Sequence, residues 1–225
     1  MLIIKKISAN IKVKEQMDTF GFEYEFSDGL NIITGENSSG KSSILSCIYY
    51  NLGLEQLLGM SKNSILDKCI TSDFIYRQTS YKVLESFIEL VIENEKGEKA
   101  TLYRDAICID GSTGAFIKVT TDNLSKRYYL QAKNDHNDKH GFYHWLQEFI
   151  GIQLPRDKET GKNILYSQNL FSACLIEQTK GWSELFSQMP PFSMKGIKDI
   201  KSKLVEYLLD LECFYQDFEK DKLKN

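Results

Sequence analysis

The stretch Gly35-Glu36-Asn37-Ser38-Ser39-Gly40-Lys41-Ser42 sets two glycines five positions apart and follows the second with a lysine and a hydroxyl. Glycines let the backbone turn so that successive N–H groups converge as a nest for anionic oxygens. A helix beginning at the lysine adds the partial positive charge of its N-terminus at the same place. In such a loop the lysine supplies a full charge to the β- and γ-phosphates, and the Ser42 hydroxyl ligates magnesium. The chemistry these residue types support is the holding of a nucleoside triphosphate, expected to be ATP with Mg2+, with Ser43 extending the loop. A chance glycine–serine turn would carry the same letters without a strand before it and a helix after it. Both flanks are readable here.

The elements that must position the loop follow from periodicity. Leu2-Ile3-Ile4 and Ile7 begin a β run, and Phe22-Glu23-Tyr24-Glu25-Phe26 alternates at period two. Ser27-Asp28-Gly29 is a turn signal, and Leu30-Asn31-Ile32-Ile33-Thr34 reads as a short apolar strand running into the loop. From Ser42 to about Leu58, Ile44, Leu45, Ile48, Tyr49 and Leu52 recur at helical spacing, with Gly53 marking a bend and Gly59 a stop. Residues 80–131 read as a meander with turns at 94–97 and 110–114. Phe142–Ile150 suggests a short helix, and Leu170–Ile176 an apolar strand that ends at Glu177-Gln178. Beyond Pro190-Pro191, Ile197, Leu204, Leu211 and Phe218 fall seven apart, with Ile200, Tyr207 and Phe214 between them, a heptad a/d pattern. The expected division is residues 1–192 as one α/β domain and 193–225 as a helix that starts a coiled coil.

Bulk properties set the limits. The 225 residues, 42% hydrophobic and 26% charged, suffice for one substantial core. No apolar run approaches the roughly 20 residues that cross a bilayer, and the first ten residues are not a secretory signal. Five cysteines without CxxC spacing are expected as free thiols in a reducing cytoplasm, not as a zinc site. A net charge of −3 is not the footprint of a strongly basic nucleic-acid binder, although a local stripe can still bind phosphates.

The run from Phe26 to Ser43, FSDGLNIITGENSSGKSS, resembles the N-terminal lobe of the SMC, RecN and RecF group of ABC-type ATPases, whose usual form is F-x-x-G-L-N-x-I-x-G-x-N-x-x-G-K-S. Asn37 at the third loop position is characteristic of that group. The resemblance implies a P-loop NTPase lobe with a mixed β-sheet around the P-loop helix, and a head split in two by a coiled coil. It implies a glutamine at a strand end that reaches magnesium and the attacking water; Gln178, after Leu175-Ile176-Glu177, fits that place. Lys41 and Gln178 are thus the expected catalytic residues, Ser42 and Gln178 the expected magnesium ligands, and Asn10 a position near the adenine. The segments IYYNLGLEQLLG and IEQTKGW look most like SMC-type ATPases of anti-phage systems such as Lamassu.

The same resemblance implies parts that residues 1–225 do not supply. No LSGGQ-like signature occurs, and the nearest imitation of a Walker B strand, Ala106-Ile107-Cys108-Ile109-Asp110, continues with Gly111 where a glutamate is needed. The expectation is an ATPase half-head, inactive alone, partnered by a C-terminal lobe, a second head joined through ATP, DNA and accessory subunits. Alternatives are a P-loop kinase, which should carry an arginine-rich lid, a GTPase, which should carry NKxD, or a non-hydrolysing scaffold. Neither the lid nor NKxD is present. His136, His140 and His144, four apart, read as solvated loop residues before they read as metal ligands. Lys118, Lys126, Arg127 and Lys133 read as a solvated face or as a basic surface for DNA phosphates.

Overall fold

The computed structural model describes residues 1–37, 39–58, 65–108, 115–130, 136–156, 163–174 and 199–211. They divide into two compact units, residues 1–55 with 60–151, and residues 56–59 with 152–225. The boundary expected near residue 193 lies outside the described residues. Among the described residues no helix is long and apolar enough to cross a membrane.

The first unit is built on one sheet. Its strands are β1 (Leu2–Val13), β2 (Thr19–Glu25), β3 (Asp73–Tyr76), β4 (Thr79–Asn94), β5 (Lys99–Ile107), β6 (Phe116–Thr121) and β7 (Leu124–Tyr129). The order is β2-β1-β4-β5-β6-β7, with β3 pairing β4. Every pair of described strands is antiparallel, and the parallel contact of the expected mixed sheet is the isolated bridge Tyr129–Gly141. Alternation, interrupted by register shifts at Ile4/Lys6, Lys12/Val13 and Ser86/Phe87, gives the sheet one apolar face. Ile7, Ala9, Ile11 and Val13 of β1, Ile88, Leu90 and Ile92 of β4, and Ala100 and Leu102 of β5 are buried. Burying each of the larger side chains contributes about 1.5–3 kcal/mol.

The other face alternates charges and rings. Lys6 bonds Glu23 at 2.7 Å and Lys12 bonds Glu85 at 3.2 Å, while Phe87 stacks on Tyr103 with centroids 4.9 Å apart. Exposed pairs of this kind contribute little to stability and act chiefly to fix strand register.

Helix α1 (Lys41–Asn51) packs its C-terminal half on β1, β4 and β5, burying Cys47, Ile48, Tyr49 and Tyr50. It stops short of Leu58: Gly53 takes a left-handed φ of 69° and the chain continues as a 3-10 turn, Glu55–Leu58. Helix α2 (Lys68–Thr71) lies against β3, β4 and β5. Helix α3 (Phe142–Ile150) has the expected bounds and inserts Phe142, Tyr143, Trp145 and Leu146. The turn at 94–97 also stands where the sequence puts it. Asn94 Oδ1 accepts from the Lys96 and Glu98 amides, and its Nδ2 donates to the Phe149 carbonyl at 2.9 Å.

The second unit corrects one strand. Residues 167–174 form helix α4 (Ser167–Cys174), where the sequence predicted a strand over 170–176. Asn169 Oδ1 accepts the Tyr166 amide at 2.8 Å and organises the helix start. Leu170 and Ala173, a three-residue step apart on one helical face, then meet Leu154, Leu165 and Leu204. Helix α5 (Ile200–Leu208) covers part of the heptad run. Its a/d residues Ile200, Leu204 and Tyr207 pack into this small core, and Asp210 at φ 49° follows the last turn. Residues 212–225 lie outside the described residues, so a coil there remains an expectation.

Candidate functional site

The approach to the loop is fixed by one asparagine. Asn31 Oδ1 accepts the Ser27 amide at 2.9 Å and the Ser27 hydroxyl at 3.1 Å. Its Nδ2 donates to the carbonyls of Ser27 and Gly29 at 2.8 and 3.1 Å. Asn31 therefore folds the turn at 27–31 onto itself, a physical role for the Gly-Leu-Asn of the motif that letters alone do not reveal. Lys5 adds an ion pair to Asp28 at 2.8 Å, and that hydrogen bond holds the Asp28 carboxyl below its usual range.

The predicted strand Leu30–Thr34 is not one: it pairs with none of the described strands. Leu30 is 85% exposed and Ile32 69%. Apolar residues in extended sequence beside a sheet normally fill a place in it. Here no described strand lies alongside to receive them.

The loop itself has the geometry of an anion cradle. Gly40 is the N-cap of α1 with φ 88°, a left-handed conformation that a side chain would strain. At Gly35 a Cβ would stand 2.7 Å from the Ser39 hydroxyl, so a larger residue there would make the Ser39 side chain turn away. The first intrahelical bond runs from the Ile44 amide to the Gly40 carbonyl at 3.1 Å. The amides of Lys41, Ser42 and Ser43 precede it and, like those of any helix start, point out along the axis. No side chain caps them and no acidic residue occupies the first turn. Lys41 Nζ reaches back over the loop to the carbonyls of Gly35 and Glu36, at 2.8 and 2.6 Å. Ser42 is exposed, Ser43 donates its hydroxyl to the Asp67 carboxylate, and Ser38 lies outside the described residues.

These residues fit a triphosphate with magnesium: helix-start amides without a cap, a lysine over the loop and an exposed serine. Gly35, Glu36, Asn37, Ser39, Gly40, Lys41, Ser42 and Ser43 would line the phosphates, and Ser42 would offer its oxygen to the metal. Magnesium would supply charge neutralisation between phosphate oxygens. Lys41 would exchange two carbonyl partners for phosphate oxygens, a gain because charge-assisted bonds to an anion exceed those to a neutral carbonyl. Gln178 lies outside the described residues, as do 175–177 before it; residues 170–174 of the expected strand belong to helix α4.

The far end of α1 is bolted to the sheet by residues the sequence gives no reason to single out. Arg104, 2% exposed on β5, pairs with the fully buried Glu55 at 2.6 Å. Its guanidinium also lies 3.8 Å over the Tyr50 ring and donates to the Tyr50 carbonyl, in the last turn of α1. Burial pushes the Tyr50 phenol up to about 12, so it stays neutral and donates to the Asp105 carbonyl at 2.7 Å. Asn51 Nδ2 donates to the carbonyls of Ile88 and Leu102 at 3.1 and 3.0 Å. A cation at a helix C-terminus also complements the helix dipole.

The histidines part company. His136 is buried and stacks on Tyr143 at 4.4 Å, a core residue where the sequence suggested a solvated one. His140 bonds Asp138, and His144 faces Glu148 within α3. No group of three or more potential metal ligands occurs among the described residues. In the basic set, Lys118 and Arg127 face each other across β6 and β7, Lys126 lies over the Tyr128 ring at 4.9 Å, and Lys133 is outside the described residues.

Comparison with known proteins places the chain in a family. Residues 19–224 match the family model described as an AAA domain. The chain is 32% identical over 100 residues to Structural maintenance of chromosomes protein 6A of Arabidopsis thaliana, covering 44% of this chain and 9% of that protein. It is 31% identical over 119 residues to protein 6B of the same plant, covering 52% of this chain and 10% of that protein. The matched stretch thus spans about a tenth of each relative. With a phosphate cradle at the head of α1 and a family match over nearly its whole length, the chain belongs to the AAA-domain family as a nucleotide-binding ATPase domain of the SMC type.

Proposed function

We propose that this chain is the ATP-holding half of an SMC-like head, completed by a lobe that carries the Walker B and signature elements. In this reading ATP and Mg2+ seat on residues 35–43, a second head closes over the γ-phosphate, and hydrolysis releases it. Differential affinity for the engaged state is what would make the nucleotide a switch. The observation that carries the reading is Leu30–Thr34, an apolar segment next to the phosphate loop that pairs with none of the described strands. Leu45 of α1, 51% exposed, adds a second uncovered apolar position beside the same loop. A complementing lobe would cover such residues and bring the catalytic carboxylate to the phosphates, with Gln178 reaching magnesium and the attacking water from this lobe. The name of the plant relatives points toward chromosomes, and DNA is the partner proposed here. An anti-phage setting belongs to the same proposal, supported by the local segments around 48–59 and 176–182.

The test is sedimentation of the chain with its complementing lobe supplied, in ATP, GTP and no nucleotide. Dimer formed with ATP alone is expected. A monomer indifferent to ATP removes head engagement, and dimer with GTP alone points to the GTPase alternative.

DNA contact has a specific address. Lys118 and Arg127 stand directly opposite on β6 and β7, and neither makes an ion pair among the described residues. Like charges in that position repel, so a polyanion would relieve a built-in cost. Changing both to alanine should weaken DNA binding without sequence preference and reduce the salt slope by about two. Fluorescence anisotropy over a salt series reads this; an unchanged slope removes the pair from the interface.

A further inference from the structure

Asp67 begins α2 with extended backbone angles, φ −62° and ψ 153°, the ordinary N-cap conformation. An aspartate there normally turns its carboxylate onto the second or third amide of its own helix. Asp67 makes no such bond. Its Oδ2 instead accepts the hydroxyl of Ser43, in the first turn of α1 and next to Ser42. Two consequences follow for the phosphate cradle. A Ser43 hydroxyl that donates to a carboxylate cannot donate the same proton to a phosphate. A negative charge one hydrogen bond away from the loop also opposes the arrival of a polyanion.

The link does not end at Asp67. The Asp67 carbonyl accepts the amides of Ile70 and Thr71 at 2.9 and 3.2 Å, and the Thr71 hydroxyl at 3.1 Å. Ser86 of β4 donates to the Ile70 carbonyl at 2.6 Å, and the Val83 amide to the Ser72 carbonyl at 2.9 Å. The short helix that carries Asp67 is therefore hung on the β3–β4 hairpin by bonds to its main chain. The Asp67 side chain is the tie to α1.

We propose that Asp67 is a positioning residue of the nucleotide site, a latch that holds the Ser43 hydroxyl and yields it when a triphosphate binds. This rests on the reading of residues 35–43 as the nucleotide site. On release, the Asp67 carboxylate turns to the N-terminal amides of α2, chiefly that of Cys69. Occupancy of the loop is thereby read out at α2 and the hairpin that follows it. No bond is made or broken covalently; one proton donor changes acceptor.

A latch of this kind reverses the usual expectation for a lost hydrogen bond, and that gives the test. In the full chain, Asp67→Asn should tighten ATP·Mg2+ by about three- to tenfold, more at low salt, because one repelling charge is removed and the competing acceptor is weakened from a carboxylate to an amide oxygen. Asp67→Glu, which keeps both, should restore an affinity close to that of the native chain. In a chain that already carries Ser43→Ala, adding Asp67→Asn should tighten binding clearly less than it does in the native chain, since only the charge is left to remove; an undiminished gain overturns the latch. Calorimetric titration with ATP·Mg2+ measures each. An Asp67→Asn chain that is folded and binds no tighter than the native chain overturns the latch. A native chain that binds no ATP·Mg2+ removes the site on which the latch depends, and the two failures are thus distinct. Should Asp67→Asn not fold, hydrogen exchange on the native chain decides: slower exchange at Cys69 on adding ATP·Mg2+ supports the switch of acceptor, and unchanged exchange overturns it.

Discussion

Glu55→Ala should destabilise the first unit by about 3–5 kcal/mol, the range for breaking a buried ion pair from one side. The reason is asymmetric. The carboxylate and the Arg104 guanidinium are both withdrawn from water, 0% and 2% exposed, and each offsets the other's desolvation at 2.6 Å. Truncating Glu55 leaves a full positive charge in the core, with the Tyr50 ring and carbonyl as compensation. Replacing both partners by methionine removes the charges together and should cost far less than the two single changes summed. Urea unfolding of the two single variants and the double variant measures the coupling. A single-variant loss below about 1 kcal/mol would mean that the pair is solvated, contrary to its burial. Because Arg104 grips the last turn of α1, the helix that presents the phosphate loop from its other end, these variants should also lower ATP affinity in proportion to local fraying.

Lys41→Ala should weaken ATP·Mg2+ binding by about a hundredfold or more, since two charge-assisted bonds at roughly 1.5–3 kcal/mol each are lost. Its effect on folding should be small. Lys41 is partly exposed, and its bonds to the Gly35 and Glu36 carbonyls lie at the surface. A fall in affinity with an unchanged melting temperature separates a binding role from a structural one. Lys41→Arg should not rescue, because a planar fork does not replace a compact ammonium above a narrow loop.

Local chemistry was the legible part of this chain. The loop and its helix are specified by residues 35–43 themselves, because a left-handed Gly40 is a demand of backbone geometry that the letters record. The turn at 94–97 and α3 are equally local, one set by Asn94 and Gly97, the other by an apolar stripe from Phe142 to Ile150. Segments whose state depends on partners were less legible. Leu30–Thr34 has the composition of a strand and lacks a described neighbour to pair with. Residues 170–174 are apolar in a run too short for periodicity to tell a strand from a helix, and Asn169 together with the Leu154 cluster decides for the helix. Asp67, Arg104 and His136 were illegible for a third reason. Each takes its meaning from a residue distant in sequence, Ser43, Glu55 and Tyr143 respectively, and nothing in spacing announces such a meeting.

In the reading proposed here residues 35–43 hold the nucleotide with Gln178 opposite them in the same lobe, and its cleavage needs a second lobe. Phosphate release by purified residues 1–225 at saturating ATP·Mg2+ tests this most directly, run beside a titration of the same sample and of Lys41→Ala. The expected result is saturable binding that Lys41→Ala abolishes, with no turnover above the Lys41→Ala background. Robust turnover by the native chain that disappears in Lys41→Ala would show instead that one lobe suffices for cleavage.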